Sequence, residues 1–463
     1  MSEKNFNLSL LLKKNENFSF RKKASLVYTL SLPAILAQLS TILMQYIDAA
    51  MVGKLGKDAS AAIGLVASSI WLFGSLIAAF CVGFTVQVAH AVGAGAPQKA
   101  KRILSQSITC ALFFLLLLML IGISIAPFLP VWLGADKEIQ GDASFYFLIF
   151  ALTQPFYLFT RLMSAMLQCS GNMRLPGIMN ALMCILDVVF NAFFIYVCKL
   201  GVKGAALGSL SAAFVTAILI TYMTVFRDGF LCLKKEKISF APQKEVIAKA
   251  IKLSVPVAIE QAAFTSALVA VTKIIAPMGS LALAANSFAV TAEALCYMPG
   301  YGIGEAATTL SGQSVGAKRG DLAKSFSWIC TVVGMLVMFI MGLIMYFICP
   351  LVFYLLTPDT DVQKLAVSIL RIEVFAEPMY AASIVAAGAL RGAGDTFIPS
   401  LLNLFSLWFV RIGLSLLLAP IMGLQGIWLA MAIELGFRGL VFLCRQAFLF
   451  RPKSYLLQMS LPK

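Results

Sequence analysis

The sequence predicts an all-α integral membrane protein with about twelve transmembrane helices, arranged as two similar halves of six helices each. Three observations predict this fold class. The first is the composition, because 60% of the 463 residues are hydrophobic and 12% are charged, whereas soluble domains carry about 25% charged residues. The mean hydropathy of +0.91 agrees with this contrast. The second and third observations are apolar runs of spanning length and an internal repeat.

A helix that crosses a bilayer needs about 20 predominantly apolar residues. Runs of this kind recur along the whole chain, and we interpret each as one span. In the first half they cover 26–52, 61–89, 103–128, 145–167, 177–198 and 205–226. In the second half they cover 246–276, 284–312, 326–355, 365–390, 397–421 and 427–448.

Basic residues orient these spans. Lys and Arg cluster near the N-terminus, in the middle of the chain and near the C-terminus, and positive residues favour the cytoplasmic side of a membrane. We therefore expect a multi-pass protein of the cell (inner) membrane with both termini cytoplasmic. The expected parts are an N-terminal segment 1–25, an N-lobe 26–226, a cytoplasmic linker 227–245, a C-lobe 246–450 and a cytoplasmic tail 451–463.

The two halves align on a constant offset. It pairs Pro33 with Pro256 and Gly171 with Gly394, and it slips by one near the end, where Gly201 matches Gly423. Each half holds an even number of spans, so the halves share one orientation, as parallel repeats do. Repeated Pro and Gly residues specify helix bends and close packing. The residues on which the halves disagree are therefore the candidates for chemistry.

Asp48 and Asp187 are the first of these candidates, because Val271 and Val410 stand at the matching positions of the second half. An ionised side chain at the centre of a membrane costs at least about 2.5 kcal/mol, so it needs a partner, water or a function. Each aspartate belongs to a polar stripe at helical spacing. On the first helix the stripe includes Gln38, Thr41, Gln45 and Asp48, and on the fifth it includes Asn180, Asp187 and Asn191.

We expect the two stripes to share one internal cavity, in which Asp48 and Asp187 bind H⁺ or Na⁺ together. Two close carboxylates favour a shared proton, whereas carboxylate, amide and hydroxyl oxygens equally suit a hard cation. The predicted cation-coupling residues are Asp48, Asp187, Asn180, Asn191, Gln45 and Thr41, and Gln38 is assigned to the substrate. The alternative is that these polar groups only bond neighbouring helices.

The second half carries its own acidic residues at spanning positions. Glu373, Glu377 and Tyr380 share a face of the tenth helix. Glu293 and Tyr297 share a face of the eighth helix, and Glu260 is alone on its face of the seventh. Acidic and aromatic groups attract organic cations, so we predict that Glu260, Glu293, Glu377, Tyr380 and Tyr297 bind substrate. The alternative is ion pairing with Lys273, Arg371 or Arg411. Glu434 and Arg438 are four residues apart and are expected to pair with each other.

The sequence lacks the motifs that other classes of function require. There is no phosphate-binding glycine loop, no Cys/His cluster with metal spacing and no catalytic constellation. We therefore expect no enzyme activity, no cofactor beyond H⁺ or Na⁺ as coupling ion, and no metal site beyond a possible Na⁺ site at Asp48 and Asp187 or at Glu260. The expected partners are a small-molecule substrate and the lipid bilayer, without nucleic acid, and the expected state is a monomer.

The chain resembles the multidrug and toxic compound extrusion (MATE) family along nearly its whole length. This family belongs to the multidrug/oligosaccharidyl-lipid/polysaccharide exporter superfamily. The segments that carry the resemblance are QYIDAAMVG at 45–53, 92–100, Leu186 with Asp187, 256–260, MPGYGIGEAATTLSGQSVGA at 298–317 and GALRGAGDT at 388–396. The resemblance implies two six-helix lobes around a central cleft, and alternating access driven by H⁺ or Na⁺.

The resemblance also assigns roles. Asp48 and Asp187 match the coupling carboxylates of the family's N-lobe, and Glu260 matches the seventh-helix carboxylate of the branch that couples through the C-lobe. Two positions depart from the family pattern. Met183 replaces an Asn that often precedes the fifth-helix Asp, and Tyr380 replaces the tenth-helix Asp. The coupling ion and the lobe that binds it therefore stay open.

The leading functional hypothesis is a secondary active exporter of amphipathic, often cationic, small molecules such as drugs and toxins, by antiport with H⁺ or Na⁺. One alternative is a flippase for lipid-linked saccharides of the same superfamily, whose cavity is expected to be basic rather than acidic. A second alternative is a membrane receptor or enzyme, which would need a soluble domain or a catalytic cluster.

Overall fold

The computed structural model describes residues 19–233 and 240–451, and the side chains of Lys57 and Ser60 are outside this description. Most of the predicted N-terminal segment 1–25, part of the linker 227–245 and nearly all of the tail 451–463 therefore lie outside the described residues. All regular secondary structure in the described ranges is helical. The fold class predicted from the sequence is thus confirmed.

Nine helices of the described chain are uninterrupted spans, and the first six lie in the first half. These are α1 Phe20–Gly53, α2 Lys57–Gly93, α3 Pro97–Ile125, α4 Lys137–Ser170, α5 Arg174–Ala192 and α6 Gly201–Tyr222. The other three are α7 Lys244–Ile275, α8 Ser280–Gly316 and α9 Gly320–Leu356. Single π-helical turns, Phe193–Val197 and Met223–Arg227, extend α5 and α6.

The tenth span is broken into two shorter helices, α10a Thr360–Glu373 and α10b Glu377–Gly392. Pro378 is the second residue of α10b, and proline is well tolerated in the first turn of a helix because that turn has no partner for its N–H groups. The residue before a proline also disfavours helical geometry. The break between Glu373 and Glu377 therefore lies directly before a proline that favours the start of a new helix.

The last two spans form one continuous stretch, made of Phe397–Phe405, the π-helical Ser406–Arg411 and Ile412–Leu449. Gly423 interrupts it with φ 59° and ψ −139°, so we number the parts before and after Gly423 α11 and α12. Among the described helices, ten stretches are long and apolar enough to cross a membrane. Counting α10a with α10b as one span and dividing the last stretch at Gly423 gives the twelve spans predicted.

The internal repeat is visible in the backbone. Gly171 and Gly394 end equivalent helices with φ of 97° and 94°, and Gly201 and Gly423 begin equivalent turns with φ of 57° and 59°. Residues with a Cβ adopt such positive φ values at a cost that glycine does not have. Turns of the same geometry therefore occur at matching glycines, which confirms the prediction of two similar halves.

The described chain packs into two compact units, each described by itself below. The N-terminal unit contains Ser40–Ala258, and the C-terminal unit contains the described residues up to Leu39 together with those from Ile259 onward. The limits of these units thus fall inside α1 and α7, and the lobes predicted at 26–226 and 246–450 stay a prediction. The limits fall there because the first part of each helix packs within the other half's unit.

Two glycines show this packing. A Cβ on Gly302 of α8 would lie 2.6 Å from the backbone nitrogen of Ile35 in α1, and one on Gly83 of α2 would lie 3.0 Å from the carbonyl carbon of Ala250 in α7. Pro33 and Pro256 lie inside these two helices, where proline removes a backbone hydrogen bond and favours a bend. Each unit has its own apolar core, such as the cluster around Phe147 and Leu162 or that around Phe353 and Trp428.

Candidate ion-coupling site

In the N-terminal unit, the structure brings Asp48 of α1 together with Asp187 and Asn191 of α5. The side-chain amide of Asn191 donates to Asp48 Oδ1 over 2.9 Å and to Asp187 Oδ2 over 3.0 Å. Asp187 is 1% exposed and Asn191 is 2% exposed, and Asp48 is half-buried. One amide group therefore serves two carboxyl groups inside a helical bundle.

Local helix geometry explains this arrangement. Asp187 and Asn191 are four residues apart, so their side chains lie one above the other on α5. Directly after Asn191 and Ala192, the helix widens into the π-helical turn Phe193–Val197. Such turns recur at functional sites because they change the direction of neighbouring side chains without ending the helix.

Helix α6 approaches Asn191 closely through Gly208. A Cβ added to Gly208 would lie 2.8 Å from the backbone nitrogen of Asn191 and 2.9 Å from its Cα, which is inside normal contact distance. The next residue, Ser209, lies close enough to interact with the Asp187 side chain, as does Asp48. Sequence reasoning missed both α6 residues, since nothing in the spacing of α6 marks one small residue above the others.

Two tyrosines of α4 complete the surroundings of the carboxyl pair. Tyr146 and Tyr157 both interact electrostatically with Asp48 and Asp187. Among the described residues, no ion pair joins Asp48 or Asp187 to a Lys or Arg. Within the described ranges, no group of three or more His, Cys, Asp or Glu side chains is arranged to hold a metal ion. The site thus consists of two acids, one bridging amide and a neighbouring serine, with two phenols within electrostatic range.

The other residues of the predicted stripes lie at different depths. Thr41 and Asn180 are half-buried and Gln45 is exposed. Gln38 belongs to the C-terminal unit, where its amide donates to Glu305 Oε1 of α8 over 3.0 Å. Gln38 thus has a partner on α8, and the predicted roles of Gln38, Thr41, Gln45 and Asn180 stay predictions.

Glu260 of α7 has a full set of partners in the C-terminal unit. Its carboxylate accepts two hydrogen bonds from Arg391 Nη2, of 2.7 and 2.9 Å, and one each from Ser400 and Asn403, both of 2.6 Å. Glu260 is 6% exposed. The sequence offered Lys273, Arg371 or Arg411 as ion-pair partners, but the observed partners of Glu260 lie on α10b and α11, more than 130 residues later.

Glu293, Tyr297, Glu377 and Tyr380 also meet in the C-terminal unit. The rings of Tyr297 and Tyr380 are 5.5 Å apart, and the carboxyl group of Glu293 interacts electrostatically with Glu377. Glu373 joins the same group; the sequence placed it on this face without assigning it a role. The guanidinium of Arg438 lies 5.1 Å from the Tyr380 ring.

The basic residues that were expected to pair with the acids of the second half differ in what they contact. Arg438 pairs with Glu434 over 3.2 Å, as predicted. Arg371 instead lies over the Tyr346 ring at 4.9 Å and donates to the Tyr346 carbonyl oxygen, and Lys273 is exposed. Arg411 contacts Met431 Sδ through Nη2 and interacts electrostatically with Glu293.

Twelve spans in two repeated halves, with acidic groups buried inside each unit, define a polytopic helical membrane transporter. The MatE family model matches residues 33–193 and 256–417, and these two stretches begin at Pro33 and Pro256, the first repeated prolines. The chain belongs to the MATE family.

Curated relatives agree with this assignment. The chain is 26% identical over 420 residues to a probable multidrug resistance protein NorM of Thermotoga maritima, covering 88% of this chain and 89% of the relative. It is 26% identical over 427 residues to the protein of the same name from Neisseria meningitidis serogroup B, covering 90% and 92%.

Solved structures share the fold. A crystal structure of MATE in complex with MaL6 superposes with a TM-score of 0.89 at 19% identity, covering 97% of this chain and 99% of that one. A transporter of the MOP superfamily from Pyrococcus furiosus, described as having a binding pocket of reverse polarity, also reaches 0.89 at 19% identity, covering 97% and 98%. At this identity the likeness concerns the fold alone.

Proposed function

We propose that this transporter exports amphipathic, cationic small molecules in exchange for protons, and that Asp48 and Asp187 are the groups at which the proton and the transport cycle are coupled. The single observation that carries the proposal is the shared hydrogen bonding of these two carboxyls by Asn191. The names of the NorM relatives, which describe multidrug resistance proteins, support organic compounds as the cargo.

The orientation of Asn191 favours H⁺ over Na⁺. The amide directs its nitrogen, a hydrogen-bond donor, towards both carboxyls, whereas a hard cation prefers a shell of oxygen ligands. The closeness of Asp48 to Asp187, which both accept from the same Asn191 amide, supports the same choice, because two neighbouring carboxyl groups favour a shared proton. We therefore infer a site in which one proton is shared by a pair of acids.

Exchange follows from competition at this pair. With the proton bound, the pair carries at most one negative charge, and after its release both carboxylates are available to an organic cation. A ligand shifts a conformational equilibrium only through its different affinity for the two states. The proton and the cation can therefore select different states of the carrier through the same two side chains, and their binding is coupled reciprocally.

Helix α1 connects the site to the rest of the molecule. Asp48 lies in the part of α1 that belongs to the N-terminal unit, whereas the first part of the same helix, with Pro33, belongs to the C-terminal unit. A change of contacts at Asp48 therefore acts on a helix that contributes residues to both units. Proline-containing helices bend readily, which makes α1 a suitable element for this coupling.

The proposal is tested by transport into proteoliposomes that contain the purified full-length protein. Uptake of a fluorescent organic cation is measured with an imposed pH gradient alone and with an imposed Na⁺ gradient alone. We expect the pH gradient to drive uptake, and Asp48→Asn and Asp187→Asn each to reduce it by about tenfold or more, within the usual range of coupling free energies. Asp142→Asn, which changes an exposed carboxylate of α4, is the matched control.

Two outcomes would contradict the proposal. Wild-type uptake rates in both Asn variants would remove the carboxyl pair from the coupling mechanism. Uptake driven by the Na⁺ gradient and not by the pH gradient would replace the proton by Na⁺ at the site.

A further inference from the structure

Helix α9 contains a proline near its end, Pro350, which leaves one backbone carbonyl without its helical donor. Proline has no N–H group, so the carbonyl oxygen of the residue four positions earlier, Tyr346, lacks the hydrogen bond that an α-helix normally supplies. Arg371 of α10a supplies a donor instead, because its Nε lies 3.3 Å from the Tyr346 carbonyl oxygen. Cys349 Sγ reaches the same oxygen over 3.4 Å. The proline of one helix thus fixes an arginine of the next.

An aromatic ring also holds the guanidinium of Arg371. The guanidinium carbon lies 4.9 Å from the centre of the Tyr346 ring, and this ring is 5.7 Å from that of Phe375. The bond to the carbonyl oxygen uses Nε, so the terminal nitrogens Nη1 and Nη2 keep their N–H donors for a ligand. A guanidinium held in this way loses little further freedom when a ligand arrives, and such preorganisation strengthens binding.

A cavity of about 430 Å³ lies beside this guanidinium, between α9 and α10a. It is lined by two basic residues, two neutral polar residues and two apolar residues, namely Lys364, Arg371, Gln363, Ser368, Pro350 and Val367. Lys364 and Arg371 are seven residues apart, two turns of α10a, so they lie on one face of the helix. Among the described residues, no ion pair joins either of them to an acid. The cavity therefore has two positive charges and no acidic lining residue.

The neutral polar groups of the cavity are fixed by their own hydrogen bonds. The Gln363 amide donates to the carbonyl oxygen of Thr357 over 2.8 Å. Ser368 Oγ donates to the carbonyl oxygen of Leu365 over 2.7 Å and accepts from the Gln425 amide over 3.2 Å. These bonds hold the walls of the cavity but do not neutralise its charge. Two cations between fixed walls favour an anion with several oxygens, such as a phosphate group.

The cavity lies near the end of a membrane span. The apolar run 326–355, predicted from the sequence as the ninth span, ends five residues after Pro350. Spans end where the hydrocarbon core of a bilayer meets the polar head groups. Since α9 is the ninth span, this end lies on the side of the membrane opposite the beginning of α1. Basic side chains at such a depth reach towards lipid head groups while their stems stay in apolar surroundings.

An exposed apolar surface adjoins the cavity. Phe347 and Tyr354 are each 69% exposed, and they lie three residues before and four residues after Pro350, on the same face of α9. Large exposed apolar surfaces mark places where lipid or another apolar partner covers a protein. A cationic cavity beside an apolar helix face matches the two ends of one molecule, a phospholipid.

We propose that this cavity binds the phosphate group of an anionic phospholipid, with Lys364 and Arg371 as its ligands and the acyl chains along the exposed face of α9. A head group without a positive charge of its own fits best, because a choline group would be repelled by the two cations. The proposal concerns lipid binding, so it holds or fails independently of the proton exchange proposed above.

The test is native mass spectrometry of the purified full-length protein, which resolves individual bound lipids. The protein is titrated with phosphatidylglycerol, and separately with phosphatidylcholine of the same acyl chains. The samples are the wild type, Lys364→Gln/Arg371→Gln, Lys364→Gln and a control. The control, Lys54→Gln/Lys137→Gln, changes two exposed lysines at other connections on the same side of the membrane.

We expect the wild type and the control to bind the first phosphatidylglycerol more tightly than the first phosphatidylcholine. In Lys364→Gln/Arg371→Gln the affinity for phosphatidylglycerol should fall about tenfold, as loss of hydrogen bonds to a charged group implies, and the preference over phosphatidylcholine should disappear. A loss of fold alone would weaken both lipids, whereas loss of the site removes the difference between them. Equal affinity of this variant and the wild type for phosphatidylglycerol would overturn the proposal, as would an equal loss in the control.

Lys364→Gln keeps the proposal testable if the double variant does not fold, because Lys364 is exposed and Arg371 keeps its contacts with Tyr346. We expect a smaller loss of phosphatidylglycerol affinity in this variant, and an unchanged affinity would count against the site. Inorganic phosphate distinguishes a lipid from a free anion. Phosphate at millimolar concentration should leave the bound phosphatidylglycerol in place, whereas its displacement by phosphate would assign the cavity to a soluble anion.

Discussion

Asn191 donates a hydrogen bond from α5 to Asp48 on α1, over 2.9 Å, in the interior of the N-terminal unit. The same amide nitrogen also reaches Asp187 on its own helix. The bond therefore joins two helices at the point where the two acids meet.

Replacing Asn191 by Ala removes the donor that the two carboxyls share. A hydrogen bond to a charged group contributes about 1.5–3 kcal/mol, so we expect transport driven by a pH gradient to fall about tenfold or more. Proteoliposome uptake measures this effect, and the thermal unfolding of the same samples shows whether the fold is retained. Wild-type uptake by a folded Asn191→Ala protein would show that the amide has no part in coupling.

Gly208→Ala tests the same contact from the side of α6. The added methyl group would meet the backbone of Asn191, and overpacking of this kind costs about 1–3 kcal/mol. We expect lower thermal stability and a loss of uptake similar to that of Asn191→Ala. Gly74→Ala is the matched control, since a Cβ there has nothing within 4 Å and Ala favours helices more than Gly does. Equal behaviour of the two variants would argue against the close approach of α6.

The pH dependence of substrate binding follows from competition with the proton. As pH rises, the shared proton leaves, the pair becomes more negative, and the affinity for an organic cation increases. Where one proton competes with one cation, the dissociation constant changes about tenfold per pH unit on the acid side. Fluorescence binding titrations across a pH series measure this slope, and Asp48→Asn/Asp187→Asn should flatten it. An equally steep slope in that variant would assign the competition to other groups.

Glu260 and Arg391 give a prediction about stability. The pair is largely enclosed, with side-chain exposures of 7% and 22%, and breaking a buried pair from one side costs about 3–5 kcal/mol, less where one partner reaches water. We expect Arg391→Met to lower the unfolding temperature clearly, and Glu260→Gln/Arg391→Met to recover part of the loss. Unfolding followed by intrinsic fluorescence tests both. A fully additive double variant would mean that the two residues do not stabilise each other.

The sequence predicted the twelve spans because spanning length and hydropathy are local properties, and the repeat confirmed their order. Pro378 and Pro155 are separated by the same offset as Pro256 and Pro33, yet α4 continues through Pro155 whereas the tenth span is broken before Pro378. A proline inside an apolar run predicts a disturbed backbone, but neighbouring helices decide between a bend and a break. The interruption was therefore beyond a reading of the sequence.

The candidate site was predictable in part for a similar reason. Asp48, Asp187 and Asn191 were found because carboxylates and amides in apolar runs stand out at helical spacing. Arg391, Ser400 and Asn403 were not linked to Glu260, since only the packing of α7 against α10b and α11 brings them together. Gly208 was missed because its role is the absence of a side chain, which has no pattern along the chain.

The central claim, that Asp48 and Asp187 exchange a proton for a cation, is tested most directly by proton release on substrate binding. An organic cation is added to the purified protein in weakly buffered solution, and a pH indicator records the protons set free. We expect release by the wild type and by the Asp142→Asn control, and much less release by Asp48→Asn/Asp187→Asn. Substrate binding without proton release in the wild type, or equal release in the Asn variant, would contradict the account.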